Sequence, residues 1–406
     1  MIRLNRASLL AAVAAPMLAL TAAWIPPADA TVAGDQPDTT SSPQLVLPHP
    51  TGTYPVGRET LHLVDHSRPD PWVPEANGRE LMVSMYYPAR INAGQPAPYL
   101  SQTEARLLIE RDGLADVVAA DVVSRTRTAA RADATPRPGR YPLVVLTPGF
   151  TLHRYTLTNL ATELASHGYI VAAVDHAYES HGTEFPRGRV LTCVACVILD
   201  RTPDWSISQA RARDVPFLID ELTADHPAWR YAGLIDRTRI GMAGHSIGGG
   251  ATEATMEADQ RVRAGVNLDG PLGSLYGFPM RQRDWAGRPF LMVESDAGHS
   301  LPDKEGSKDR QAQDYQNMDG WKRWLVIEGT AHIALTDLGV LADQLGIPGW
   351  AYERQDWPLP SLRTAQIIRE YVVAFFDLHL RGVPQPILDG PTPGNPEVQF
   401  YNPTAG

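Results

Sequence analysis

Residues 239–252 read R-I-G-M-A-G-H-S-I-G-G-G-A-T, from Arg239 to Thr252. Arg239 to Ala243 is a short run of strand character, and Gly248 to Ala258 has the small-residue make-up of a tightly packed helix. Between them, Gly244-His245-Ser246-Ile247-Gly248 fits G-x-S-x-G, the sharp strand-to-helix turn that exposes a serine hydroxyl. Glycines on either side keep neighbouring atoms from colliding in so tight a turn. A serine in an ordinary glycine-rich helix cap is the plain alternative, and the strand immediately before it argues against that.

Outward from this turn, buried strands alternate with amphipathic helices. Pro142 to Thr147 is an apolar run closed by Pro148-Gly149. Leu157, Leu160, Ala161 and Leu164 follow at helical spacing, His167-Gly168 stops that helix, and Ile170 to Val174 is a second buried strand. Asp175 to Trp205 reads as a long irregular connection. A helix then carries Val215, Leu218 and Leu222 on one face, with Pro216 opening or kinking it. Val262–Leu268, Pro289–Val293 and Trp324–Ile327 continue the strand series. Ile367, Ile368, Tyr371, Val372, Phe375 and Phe376 form a helical stripe ended by Gly382 and Pro384. Strand, helix, strand in repetition implies a mostly parallel central sheet with helices on both faces, an α/β class. Upstream, Leu61–Val64 and Glu80–Tyr87 look like an antiparallel start to the sheet, and Ser101 to about Ala134 like a helical insertion.

The chain has 406 residues, within reach of one large α/β domain. Arg3 and Arg6, the apolar run Ala7–Ile25 and the small-x-small Ala28-Asp29-Ala30 describe a signal peptide cut after Ala30, so export is expected. Residues 31–53, rich in Pro, Ser, Thr and Asp, read as a disordered leader, leaving 54–406 as the domain. A net charge of −10 without a basic cluster disfavours nucleic acid as a partner. The two cysteines, Cys193 and Cys196, supply at most half of a zinc site, and in an oxidising compartment they favour a local disulfide. No metal or other cofactor is expected.

A serine hydroxyl needs an oriented base to become a nucleophile. His332, five residues beyond Ile327 in L-V-I-E-G-T-A-H, lies where the last strand should end, at the same sheet edge as Ser246. His62, His66, His226 and His379 read as solvated or packed, and His245 as packed beside the turn. The acid that orients the imidazole has two candidates. Asp269 ends A-G-V-N-L-D-G, held in a turn by Gly270-Pro271; Asp296 ends P-F-L-M-V-E-S-D on the next strand and opens a long polar stretch. Spacing alone does not choose between them. An oxyanion hole needs two backbone N–H groups, expected from Ile247 and from Phe150 in P-G-F-T.

Together, V-D-H-S-R-P-D-P-W, R-E-L-M-V-S-M-Y-Y-P-A, P-G-F, G-Y-I-V-A-A-V-D-H, G-H-S-I-G-G-G-A-T, N-L-D-G-P-L-G and G-T-A-H resemble the platelet-activating-factor acetylhydrolase family, in its plasma or isoform II form, from about His62 through the terminal helix. The resemblance implies an α/β-hydrolase fold and calcium-independent hydrolysis of esters, often short or oxidised acyl chains on phospholipids, although the family's membrane-surface residues are not matched here. In that family the acid follows the strand after the serine turn, which implies Asp269, 269 − 246 = 23 residues on, rather than Asp296. The family has a histidine before the oxyanion glycine, where this chain has Pro148. A cutinase-like or polyester-active lipase is the second reading, and a non-catalytic binding protein of the same fold the third. Trp350, Tyr352 and Trp357, in the Pro-rich stretch after His332, read as lining an acyl pocket, touching a lipid surface or packing a long loop.

Overall fold

The computed structural model describes residues 43–91, 94–198, 205–272, 286–297, 307–347, 350 and 357–403. Strand β4 (Tyr141–Thr147) shows why the chain folds as it does. Its side chains alternate across the sheet, so Leu143 and Val145 enter one apolar core while Val144 and Leu146 enter another on the opposite face. A strand buried on both faces has to be covered by helices on both faces. α3 (Thr158–Ser166) and α9 (Ser361–Arg381) cover the face of Val144 and Leu146, with Leu160, Leu164, Val372 and Phe376 inward. α5 (Trp205–Thr223), α6 (Ile247–Ala258) and α7 (Ser307–Asn317) cover the face of Leu143 and Val145, where Val215, Leu218, Met256 and Tyr315 are buried. Each such large apolar side chain contributes about 1.5–3 kcal/mol by leaving water.

Around β4 the sheet holds β5 (Ile170–His176), β8 (Ile235–His245), β9 (Val262–Leu268), β10 (Phe290–Ser295) and β11 (Lys322–Ile327), all parallel, in the order β11-β10-β9-β8-β4-β5. β1 (Val56–Asp65) and β2 (Arg79–Pro88) extend it antiparallel beyond β5, and β3 (Ala130–Ala132) pairs with β1 at that edge. The opposite edge is β12 (Val398–Tyr401), antiparallel to β11. Neither β3 nor β12 was expected from the sequence, both being too short to show a period.

Several expectations change. The leader is not disordered from 43 on: Leu45 and Leu47 are buried beside α1 (Gln102–Arg111), the Leu47 N–H donates to the Arg127 carbonyl, and the Arg127 N–H donates to the Leu45 carbonyl. Two leucines among the prolines are enough to anchor it. The proposed leader sequence to Ala30 and residues 31–42 lie outside the described residues. The 101–134 insertion holds α1 and the short α2 (Ala120–Ser124) before β3. The connection after Asp175 is not irregular in its described part, up to Ile198: it contains a hairpin, β6 (Thr183–Phe185) with β7 (Arg189–Leu191), and α4 (Val194–Ile198), clipped by a Cys193–Cys196 disulfide. Pro216 lies inside α5 instead of opening it. α9 ends as its sequence suggests, with Gly382 at φ 69°. Among the described residues, no helix is long and apolar enough to cross a membrane.

Candidate active site

β8 delivers His245 to the sheet's edge, and Ser246 turns the chain at φ 56°, ψ −127°, a conformation L-residues rarely hold. α6 begins at the next residue. Close approach explains the flanking glycines. A Cβ on Gly244 would lie 2.0 Å from the Gly248 carbonyl oxygen, and one on Gly248 would lie 2.4 Å and 2.7 Å from the carbonyl oxygens of Thr147 and Pro148. The Ser246 N–H donates to the Leu268 carbonyl at 2.8 Å, which ties the turn to β9.

Asp269 follows β9 at φ 56°, a region aspartate tolerates better than most residues. Asn267 holds that turn: its Oδ1 accepts from the Gly270 N–H at 2.7 Å and its Nδ2 donates to the Gly270 carbonyl at 3.0 Å. So fixed, the Asp269 carboxylate meets three donors. The Ser295 N–H reaches Oδ1 at 2.7 Å, the Ser295 hydroxyl reaches Oδ2 at 2.7 Å, and His332 Nδ1 lies 2.6 Å from Oδ2. Burial pushes the Asp269 carboxyl up, but the hydrogen bond and charge of His332 and the two Ser295 donors outweigh it and hold it below the usual carboxylate range. An ionised Asp269 can only accept, so His332 carries its proton on Nδ1 and keeps a lone pair on Nε2, the form a base requires. Asp296 points elsewhere: its Oδ2 accepts from the Gly329 N–H at 3.2 Å.

His332 starts a short 3-10 turn, His332–Leu335, beyond β11. The neighbouring His245 is fully buried, and its ring centroid lies 4.4 Å from that of His332. Its Nε2 donates to the His332 carbonyl at 3.0 Å, and burial drives its pKa down to about 3, so it is neutral and anchors the backbone that carries His332. Sequence reasoning assigned His245 to packing and missed this contact, as it missed Ser295 and Asn267. No spacing rule announces a hydrogen bond that forms only once strands align.

Beside the serine runs the loop Pro148-Gly149-Phe150. A Cβ on Gly149 would lie 2.9 Å from His245 Nδ1 and 3.3 Å from Ser246 Cβ, so only glycine lets this loop pass so close. Ile247 is the first residue of α6, where N–H groups have no intrahelical partner. The side chains of Phe150 and Ile247 belong to one apolar cluster with Trp72, Tyr178, Ile207, Cys193, Val194 and Ile198. Of the aromatic trio, Trp350 is fully buried and donates from Nε1 to Asp112 at 2.7 Å, so it packs and does not touch a lipid surface. Trp357 donates to Ser361 at 3.0 Å, and Tyr352 lies outside the described residues. His62 is paired with Glu80 at 2.6 Å, His66 and His226 are exposed, and His379 packs between Trp321 and Phe375. Among the described residues no cluster of histidine, cysteine or carboxylate side chains is arranged to hold a metal.

The sequence profile of the family described as platelet-activating factor acetylhydrolase, isoform II, matches residues 39–186 and 219–379. The chain belongs to that family. It is a carboxylic ester hydrolase of the α/β-hydrolase fold. A probable 1-alkyl-2-acetylglycerophosphocholine esterase from Arthroderma benhamiae is 26% identical over 378 residues, covering 88% of this chain and 94% of that one. A bis(hydroxyethyl) terephthalate hydrolase from Streptomyces coelicolor is 28% identical over 130 residues, 32% of this chain and 33% of that one. Among solved structures, a ferulic acid esterase from Streptomyces cinnamoneus superposes with a TM-score of 0.77 at 38% identity, covering 88% of this chain and 99% of that one. This acetylhydrolase-family member therefore acts on small-molecule esters.

Proposed function

We propose that hydrolysis runs through an acyl-enzyme on Ser246. The Ser246 Oγ attacks the ester carbonyl carbon while His332 Nε2 takes its proton, and Asp269 keeps the imidazole in the required tautomer and offsets the charge it acquires. The N–H groups of Phe150 and Ile247 receive the developing oxyanion. The proton passes from His332 to the departing alcohol, and water then repeats the sequence to free the acid. The observation that carries this reading is the 2.6 Å contact between His332 Nδ1 and Asp269, beside a serine held on a strained strand-to-helix turn.

The acyl group is proposed to be small, as the acetyl and aryl groups in the names of the similar proteins suggest, presented on a lipid or other alcohol. The apolar side chains around Ser246 suit such a group. Transient contact with a lipid surface belongs to this reading. A second reading, turnover of polyester-like substrates, is favoured by the likeness to the terephthalate-ester hydrolase. The protein is proposed to be secreted after cleavage at Ala30, which N-terminal sequencing of material from the culture medium tests.

The functional test is initial-rate hydrolysis of p-nitrophenyl esters from acetate to palmitate, with wild type beside Ser246→Ala. Turnover of short esters that vanishes in the variant supports the reading. Full activity in Ser246→Ala overturns it, and turnover confined to long chains overturns the small-acyl assignment.

A further inference from the structure

We propose that Arg211 is a positioning residue for the oxyanion donors, setting the Pro148–Gly149 peptide through a hydrogen bond to the Pro148 carbonyl. The proposal rests on the Ser246 mechanism above. It concerns a residue outside the family match, since the stretch 187–218 falls between the two matched segments.

Proline has no N–H, so the carbonyl is the only backbone group by which residue 148 can be tethered. Arg211 Nη1 donates to that oxygen and, at 3.1 Å, to Thr147 Oγ1. Only the two rotations at Gly149 separate the tethered peptide from the Phe150 N–H. Glycine is the residue least able to fix those rotations itself. The same helix reaches the residue that carries the other donor. Ser208, one turn before Arg211 on α5, directs its hydroxyl to the Ile247 carbonyl at 3.4 Å.

Arg211 is in turn over-determined. Its Nε donates to Glu179 Oε2 at 2.8 Å; Glu179 Oε1 accepts from Arg79 Nη2 at 2.6 Å and from Trp72 Nε1 at 3.0 Å. Arg79 also grips Asp214 and Asp70, and all of these side chains are buried. The network returns to the loop by a second path. Asp214 Oδ2 lies 2.6 Å from His176 Nδ1, and His176 Nε2 lies 3.0 Å from Thr147 Oγ1. An Nδ1 proton on His176 serves Asp214 and leaves Nε2 to accept the Thr147 O–H, whose oxygen then accepts from Arg211. Every donor in that circuit has an acceptor. So much buried charge is a poor way to gain stability, because each ion forfeits its hydration. A network built at that cost directly beneath a flexible proline-glycine loop is accounted for by the rigidity it imposes there. Arg211, 1% exposed, cannot touch substrate and so acts through Pro148 and Thr147.

The test compares kcat and KM on p-nitrophenyl butyrate for wild type, Arg211→Lys and Arg211→Met, with binding of a trifluoromethyl ketone that forms a tetrahedral adduct. Lysine retains the charge but cannot span Glu179, Thr147 and Pro148 together. The expected result is a kcat lowered about 10-fold in Arg211→Lys and about 100-fold in Arg211→Met, with KM within about threefold. Ketone affinity should fall by the same factor as kcat/KM. Near-UV circular dichroism reports whether each variant is folded, and if Arg211→Met is not, Arg211→Lys and Arg211→Gln carry the comparison. A folded variant with unchanged kcat, a loss confined to KM, or ketone affinity equal to wild type overturns the proposal. Ser246→Ala assayed alongside keeps the two ideas separate: activity there removes the serine mechanism, whereas an unaffected Arg211 variant removes only this one.

Discussion

Replacing Asp269 by asparagine changes one atom type and tests the acid assignment without emptying the site. In wild type, Oδ2 takes two donors, His332 Nδ1 at 2.6 Å and the Ser295 hydroxyl at 2.7 Å, while Oδ1 takes the Ser295 N–H at 2.7 Å. The Ser295 N–H cannot accept, so the asparagine oxygen must stay at Oδ1 and the NH₂ must face His332. That group donates, so His332 has to present a bare Nδ1 and move its proton to Nε2, where it can no longer accept from a serine. The imidazolium that would form during attack also loses its counter-charge. Together these cost about 10⁴ in kcat, or about 5.4 kcal/mol at 1.36 kcal/mol per decade. The assay is initial-rate hydrolysis of p-nitrophenyl butyrate for Asp269→Asn and Asp296→Asn, with the thermal midpoint of each. Asp296→Asn should remain within about threefold of wild type, since an amide oxygen can keep the hydrogen bond from the Gly329 N–H. An Asp269→Asn protein within tenfold of wild type, or a larger loss in Asp296→Asn, would refute the reasoning.

Three further outcomes are expected. Gly248→Ala places a Cβ 2.4 Å and 2.7 Å from two backbone carbonyl oxygens that cannot swing aside, so the loop and the serine turn must part; kcat should fall about 100-fold, and near-normal kinetics would contradict the packing. His245 is held neutral, with its pKa lowered from 6.5 to about 3, so its stabilising contribution is whole above pH 6.5 and is lost as pH falls toward 3. Between pH 7 and pH 5 that loss is about 2 kcal/mol, and in His245→Gln the thermal midpoint should depend less on pH than in wild type, where parallel curves would count against it. Removing the Cys193–Cys196 disulfide by double serine substitution should cost about 2 kcal/mol, the entropy of so short a loop, read from denaturant unfolding. Because Cys193 and Val194 pack in the cluster that holds Phe150 and Ile247, kcat/KM should change as well, and an unaltered value would show that the cluster does not shape the site.

The strand-to-helix alternation is written in local apolar periods, and for that reason β4, β5, β8, β9, β10 and β11 were legible in the chain. The strand-to-helix turn at Ser246 and the place of His332 beyond a late strand were legible too, because such a turn has a local signature and the strand before His332 is a plain apolar run. Asp269 and Asp296 were not separable from the residues, because both end neighbouring parallel strands at one edge; the resemblance favoured Asp269, and the Asn267–Gly270 turn and Ser295 are what aim it at His332. The buried charge network left no trace at all. Arg79 and Asp214 are 135 residues apart, and Arg211 and Glu179 are 32 apart, so their pairing exists only in three dimensions. A buried arginine looks like a surface one until its partners are known. Leu45 and Leu47 show the reverse limit, a polar composition hiding two anchors.

The serine's backbone has a consequence for anyone who sets out to improve this enzyme. Ser246 occupies φ 56°, ψ −127°, where a side chain costs on the order of 1–3 kcal/mol that glycine does not incur. Ser246→Gly should therefore melt at a higher temperature than the active protein while hydrolysing nothing. A library ranked by heat resistance alone would carry that dead variant among its winners, so selection for robustness in this fold has to be coupled to turnover at every round.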